Sequence, residues 1–250
     1  MLLDGPHLVG EAFASGLHID TIAFGERHLP GRFDTLAARA AADDARTVVV
    51  TEEVLAAMSP VQQPAGVVAI ARRRPASLEE VFARQPQLVL LIAEIQDPGN
   101  VGAIIRAAEA CGATGVVPGE ATADPLGWKA LRGGMGSTFR LPVATRQPLE
   151  DVAVRARADG LRLLSTVPRG GTPLPDCDLR SPSAILLGGE GPGLPDTLVR
   201  VADGHITIPM RPPVESLNVA IAAALVLYEA ARQRGGPPPL PRPRGAGSAQ

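Results

Sequence analysis

The residues with chemistry to offer sit in three loops, each following an apolar run. The first is EIQDPGNVGAIIRAAEACGA, residues 94–113, where Pro98 and Gly99 stop a strand. A helix then carries the apolar stripe Val101, Ile104, Ile105 and Ala108, with Asn100 expected as its N-cap. Arg106 lies off that stripe. Two roles fit it: a surface pair with Glu109 at i+3, or a guanidinium held near a helix N-terminus to grip a phosphate. The second loop, LLGGEGPGLP (186–195), has four glycines in the six positions 188–193. Such a backbone reaches positive φ and approaches a planar ligand closely, while Pro192 removes an amide that a phosphate cradle would use. A nucleoside therefore fits better than a pyrophosphate; the alternative is a plain strand-to-helix turn with Glu190 solvated. The third is ITIPMRPPVESLNVAIAAALVLYEAARQR, 206–234. Ser216 is expected to cap the following helix, as its whole role or beside a functional one, with Asn218 in the first turn among free amides.

The elements that must position these loops follow from periodicity. Residues 1–74 alternate helices (5–15, 33–43 and EEVLAAM) with the strands TIAFG, RTVVVT and GVVAIA, a small α/β module. RRRPAS then reads as a linker with Ser77 as an N-cap, so 75–86 is assigned to linker and first helix. From 87 to 234 the strands LVLLIAE, TGVV, LPVA, LRLLST, AILLGG and HITIP alternate with helices at 101–110, 149–158, 196–201 and 217–234. Buried strands separated by helices imply a mostly parallel sheet covered on both faces, with ligands at the carboxyl ends of its strands. The three loops thus belong to one site. The last helix is apolar nearly all round, with Leu217, Ile221, Ala224, Leu225 and Tyr228 on one face and Val219, Ala222, Ala223 and Val226 on others. It is expected to be covered twice, by its own sheet and by a neighbour such as a second subunit. The tail 235–250, rich in Pro and Arg, reads as disordered.

Composition removes several function classes. The 250 residues suit a small module in front of a larger one, and no apolar run is long enough to span a membrane. The start MLLDGPHLVGEAF lacks a basic segment before an apolar one, so no signal peptide is read and a cytoplasmic protein is expected. Of the 24 basic residues only Lys129 is a lysine, which excludes a Walker phosphate loop. Cys111 and Cys177 are far apart, and His7, His18, His28 and His205 lack ligand spacing, so neither a disulfide framework nor a metal site is expected. A net charge of -2 gives no overall attraction for nucleic acid, so any RNA contact needs local patches. No GxGxxG, GxSxG or HExxH occurs, which counts against a dehydrogenase.

DPGNVGAIIRAAEACGATGVV, LLGGEGPGL and IPMRPPVESLNVAIAAALVLYEA, in this order and spacing, resemble the three motifs of the SpoU-type (SPOUT, TrmH-like) RNA ribose 2'-O-methyltransferases. KALRGGMGSTFRLPV (129–143) is similar to the family's segment before its third strand, and the match covers roughly 86–234. GPHLVGEA and EEVLAAMSPVQQPAGVVAIARR resemble the family's RNA substrate-binding module. The family usually has a helical stretch before the first strand; here either the start is truncated or the first strand is an edge piece.

The resemblance implies an α/β fold with a carboxyl-terminal trefoil knot, S-adenosylmethionine bound within it, and a homodimer. It assigns catalytic roles to Arg106, Asn100, Glu190, Ser216 and Asn218. Cofactor contacts fall on Leu187, Gly188, Gly189, Gly193, Ile208, Met210 and Leu217, and RNA contacts on Arg132 and Lys129. The implied reaction is methylation of a ribose 2'-hydroxyl in RNA, ribosomal RNA before transfer RNA, without a metal; a homologue that binds RNA with weak or no catalysis is the alternative. Arginine stays protonated in proteins, so Arg106 is read as holding phosphate and stabilising the developing alkoxide, not as a general base.

Overall fold

The structure is a computed structural model that describes residues 1–189, 191 and 193–236. Glu190, Pro192 and the expected tail from 237 onward lie outside the described residues. The front segment runs β1 (Leu2–Asp4), α1 (Pro6–Ala14), β2 (Ile19–Gly25), α2 (Asp34–Ala42), β3 (Arg46–Val50), α3 (Glu52–Met58) and β4 (Val67–Ala71). Its four strands form one mixed sheet in the order β1-β4-β2-β3, with β2 and β3 parallel and the other pairs antiparallel. The strand at the start of the chain is therefore an edge piece.

The second segment runs α4 (Leu78–Phe82), β5 (Leu88–Ala93), α5 (Pro98–Ala110), β6 (Gly115–Pro118), α6 (Trp128–Gly134), α7 (Ser137–Arg140) and α8 (Leu149–Ala158). It continues with β7 (Arg162–Thr166), β8 (Thr172–Pro173), β9 (Ser183–Gly188), α9 (Asp196–Val201), β10 (Gly204–Thr207) and α10 (Val219–Gln233). Six strands pair in parallel in the order β6-β5-β9-β7-β10-β8. Both faces are covered: one by α5 and α10, through Ile104, Ile105, Ala223, Val226 and Leu227, the other by α4, α8 and α9, through Val81, Phe82, Val152 and Leu198. The fully buried Leu88–Ala93 strand is what a doubly covered sheet requires.

Some expected features shift. LPVA does not join the sheet as a strand; Val143, Ala144 and Gln147 make single bridges to Val116, Ala76 and Gly119. Asn100 is not the cap of α5, because Asp97 accepts hydrogen bonds from the amides of Gly99 at 2.6 Å and Asn100 at 3.4 Å. The helix starts earlier, with Pro98 in its first turn, where its missing N–H costs nothing. Ser216 is not the cap of α10 either; Asn218 is, accepting from Ala220 at 2.9 Å and Ile221 at 3.3 Å. Ser77 does cap α4, in a reciprocal capping box with Glu80.

The connection order has a geometric consequence. β10 comes after β7 and β8 in the chain yet lies between them in the sheet. The link from β7 to β8 must therefore cross the end of β10, and it is fastened there: the Gly171 amide donates to Thr207 Oγ1 at 2.9 Å, and that hydroxyl donates to Val167 O at 3.1 Å. The far end of α10 is fixed by Arg234, which donates to the carbonyls of Leu179 and Ser181 at 2.7 Å and of Gln87 at 3.1 Å.

Helices α5 and α6 cross on glycine. A Cβ on Gly102 would overlap Ala130 O and come within 2.8 Å of the Gly134 amide, and one on Gly133 would stand 3.1 Å from Gly99 O. The backbones can approach this closely only because no side chain intervenes. Gly102→Ala is expected to force the two helices apart and destabilise the fold by about 2 kcal/mol or more, the scale of overpacking in a close-packed core. Thermal denaturation checks this, and an unchanged melting temperature would refute the glycine crossing.

Candidate active site

Parallel pairing puts the carboxyl ends of β5, β9, β7 and β10 side by side along one edge. The three loops read from the sequence leave that edge after β5, β9 and β10, as expected of ligand-binding loops in such sheets. The crossover Val167–Gly171 leaves the same edge after β7. It is a fourth segment at this edge beside the three expected loops, and its signal in the sequence is a Pro- and Gly-containing run, VPRGGTP, directly after an apolar strand.

The first and third loops meet. Asn218 Nδ2 donates to Asn100 Oδ1 at 3.2 Å, joining residues 118 apart in sequence. Asn218 thereby holds two structures together, since its Oδ1 caps α10 while its Nδ2 reaches the first turn of α5. An asparagine does this with one side chain because its amide has both a donor and an acceptor end.

The second loop is seated against the first. A Cβ on Gly189 would collide with Glu94 O and lie 2.8 Å from the Glu94 carbonyl carbon, and one on Gly188 would collide with the backbone of Gly193 and Leu194. Glu94 itself takes φ +54 and Gly193 φ +77, and Gly189 bridges Gly193. The glycines here are fixed by backbone-on-backbone contact. Leu187 is buried in the core, so only its main chain is open to a ligand, while Ile208, Met210 and Leu217 are half-buried. Half-buried apolar side chains beside close-packed backbone suit an adenosyl-type ligand, which needs an apolar wall and main-chain groups.

Arg106 is exposed on α5 and has no ion pair or hydrogen bond among the described residues. The pairing with Glu109 is excluded by the structure. Glu109 is taken by Arg140, with Nε to Oε1 at 2.6 Å and Nη2 to Oε2 at 2.9 Å, and Arg140 also pairs with Glu11 of the front segment. Burial pushes the Glu109 carboxyl up, but hydrogen bonds from Arg140 and Ser137 and the Arg140 charge outweigh it and hold the group below its ordinary range. Arg106 is left pointing at no carboxylate among the described residues. Ser216 is exposed, two residues before the α10 cap. Lys129 and Arg132 are exposed on α6, which abuts the first turn of α5 through Gly133 and Gly99; Lys129 also stands over the Trp128 ring at 5.4 Å. Of the expected residues, the structure brings Asn100 and Asn218 into contact and lines up the glycine loop beside them. Glu190 lies outside the described residues.

Separating the two jobs of Asn218 is straightforward. Asn218→Asp keeps an acceptor for the α10 cap but no donor for Asn100, whereas Asn218→Ala keeps neither. The Ala variant is expected to lose about 1 kcal/mol of stability and the Asp variant less than half of that, as caps of either type are equivalent. Urea denaturation of both variants measures the difference; equal losses would show that the cap is not what Asn218 contributes to stability.

Comparison with known proteins converges on one family. Residues 87–228 match the model of the SpoU rRNA Methylase family, and residues 1–69 match that of the MRM3-like substrate binding domain. The chain is 32% identical to the 23S rRNA (guanosine(2553)-2'-O)-methyltransferase RlmP of Bacillus subtilis, over 91% of this chain and 86% of that one. Among solved structures it resembles the AdoMet-bound rRNA methyltransferase from Sinorhizobium meliloti, with TM-score 0.82 and 32% identity over 92% of this chain and 86% of that one. It also resembles the SpoU methyltransferase AviRb from Streptomyces viridochromogenes in complex with AdoMet, with TM-score 0.81 and 29% identity over 94% and 90% of the two chains. With its motif loops gathered on one sheet edge and more than half its length matched by the family model, the chain belongs to the SpoU rRNA Methylase family.

Proposed function

We propose that this protein is a cytoplasmic enzyme that transfers a methyl group from S-adenosylmethionine to a ribose 2'-hydroxyl of ribosomal RNA. The observation that carries this reading is the edge where Asn218 joins Asn100 and Arg106 has no carboxylate partner among the described residues, within a chain of the SpoU family. The relatives named for ribosomal RNA 2'-O-methylation support the choice of substrate. No helix among the described residues is long and apolar enough to cross a membrane.

S-adenosylmethionine, when bound, supplies the electrophilic methyl group. Leu187, Gly188, Gly189, Gly193, Ile208, Met210 and Leu217 would hold it through main chain and half-buried apolar side chains. The protein's own contribution is to orient and to stabilise. Arg106, permanently charged and with no ion pair among the described residues to compete, grips a phosphate beside the target ribose and stabilises negative charge as the 2'-hydroxyl loses its proton. That proton passes to phosphate or water, since a guanidinium does not accept it. Asn100 and Asn218 fix the floor on which the ribose is placed, and holding the reacting groups in line supplies much of the acceleration. Ser216 and Glu190 are assigned to the target ribose, and Lys129 and Arg132 to RNA phosphate.

We infer in addition that the chain dimerises through α10 and that its carboxyl-terminal region is knotted. Ala223, Val226, Leu227 and Ala230 face the chain's own core, whereas Ile221, Leu225 and Tyr228 form an apolar stripe that is 55%, 41% and 64% exposed. An exposed stripe at helical spacing is what a symmetric partner would cover. The knot is favoured by the placement of β10 between two strands that precede it. Leu225→Arg is expected to give monomers by light scattering at micromolar concentration, where the wild type is a dimer; a monomeric wild type overturns the dimer.

Arg106→Ala tests the mechanism. It is expected to keep the melting temperature and the S-adenosylmethionine affinity of the wild type while losing on the order of a hundredfold in turnover, the scale for deleting one preorganised charge-stabilising donor. Arg106→Lys should recover little, because an ammonium lacks the planar fork. Radiolabelled methyl transfer to ribosomal RNA from cells lacking the gene measures both, with transfer RNA as the comparison substrate. Turnover of the Ala variant within about threefold of wild type would remove Arg106 from the reaction.

A further inference from the structure

Arg106 has no anionic partner among the described residues, although one carboxylate lies within its reach. Glu109 is the one acidic residue of α5 and Arg106 the one basic residue, and their i+3 spacing is that at which helix side chains meet. Both lie off the apolar stripe of the helix. The pair does not form because both oxygens of Glu109 are occupied: Arg140 Nε donates to Oε1 at 2.6 Å and Nη2 to Oε2 at 2.9 Å. The hydroxyl of Ser137, a buried residue, adds a further hydrogen bond to the same carboxylate. A two-pronged guanidinium pair outcompetes a single contact along a helix face. Arg140 is the last residue of α7, and the front segment sets its direction. Its Nη1 donates to Glu11 of α1, whose side chain passes over Gly136, where a Cβ would stand 2.8 Å away.

We infer that Arg140 is a positioning residue for methyl transfer: by holding both oxygens of Glu109 it keeps that carboxylate off Arg106 and leaves the Arg106 guanidinium open to the phosphate of the substrate. A brace between α1 and α5 could use a carboxylate anywhere on α5. Here the carboxylate stands one turn beyond Arg106, so occupying it decides what Arg106 can bind. Without Arg140, Glu109 stays charged at neutral pH, because carboxylates ionise near pH 4, and Arg106 is the one cation of its own helix. Two effects then act in the same direction. Arg106 must leave Glu109 before it grips phosphate, and the unneutralised carboxylate repels the phosphate that approaches. The consequence for turnover rests on the proposed role of Arg106, whereas the exchange of partners at Glu109 does not.

Suppression by a second substitution tests this in the full chain. Arg140→Gln is expected to lower kcat/KM for ribosomal RNA about fivefold, the scale of an ion pair near a protein surface, with S-adenosylmethionine affinity unchanged. Adding Glu109→Gln to it should restore kcat/KM to within about twofold of wild type, which no loss of a structural brace would do. Glu11→Gln breaks the contact with the front segment but leaves Arg140 on Glu109, so it should stay within about twofold of wild type. The partner exchange is read without turnover from the Arg106 Nε–Hε NMR signal, identified by its absence from Arg106→Lys. That signal should move in Arg140→Gln and return in the double variant. Arg140→Lys keeps the charge at the junction but grips one oxygen only, so a smaller shift in the same direction carries the test if the Gln variant does not fold. Equal losses in Arg140→Gln and the double variant, or an equal loss in Glu11→Gln, would make Arg140 a docking residue and overturn the inference. An Arg106 signal that stays in place when Arg140 is replaced overturns it as well. A signal that moves and returns as stated, with methyl transfer at the wild-type rate throughout or absent from the wild type, would leave the exchange standing and remove the proposed role of Arg106.

Discussion

All six strands of the larger sheet run the same way, and most of what this molecule does follows from that constraint. Parallel strands collect their carboxyl ends at one edge, and every connection but the short β7–β8 link returns over a face before the next strand begins. Loops separated by more than a hundred residues thus leave the same edge without any long-range recognition between their sequences. The Asn218 to Asn100 hydrogen bond then closes the gap between two of them. The insertion of β10 between β7 and β8 adds a crossing segment at that same edge, fastened through Thr207.

Close approach is achieved with glycine rather than with side-chain complementarity. Gly189 against Glu94, Gly188 against Gly193 and Gly102 against Ala130 are all places where a single Cβ would meet backbone. Backbone cannot move aside as a flexible side chain can, so these positions tolerate nothing larger. The loops that would receive a ligand are consequently held by main-chain contact, leaving the functional side chains few structural obligations. Arg106 is the clearest case, exposed and off the helix stripe, with its neighbour Glu109 committed elsewhere.

The junction between the segments is built on different physics. Leu126, Leu131 and Phe139 of the second segment pack into the core of the first, while Val81 and Phe82 pack on the back of the larger sheet. Arg140 ties α1 to α5 through two carboxylates, and Arg73 reaches Asp124 at 2.6 Å. Exposed ion pairs contribute little each, so the apolar contacts carry the docking and the charges choose its orientation. Where the two segments fail to fill space, the polar cavity remains.

The sequence by itself determined the alternation of elements, the apolar stripe of α5, the parallel character of the larger sheet and the three loops at its strand ends. These features depend on periodicity and on residue types with strong local preferences, which a single chain displays without its partners. It also displayed motifs specific enough to place the chain in its family. What it misplaced were choices between nearby groups of similar chemistry. Asp97 and Asn100 are equally good caps by type, as are Ser216 and Asn218, and only the path of the backbone selected Asp97 and Asn218. Helical spacing offered Glu109 to Arg106, yet Arg140, 31 residues further on, arrived from another element with better geometry. An α10 apolar nearly all round could not reveal which face turns outward; packing on α5 buried Ala223 and Val226 and left Leu225 and Tyr228 exposed. The cavity at the junction of the two segments has no sequence signature at all, because its wall is assembled from both segments and the linker region, and only the folded chain brings them together.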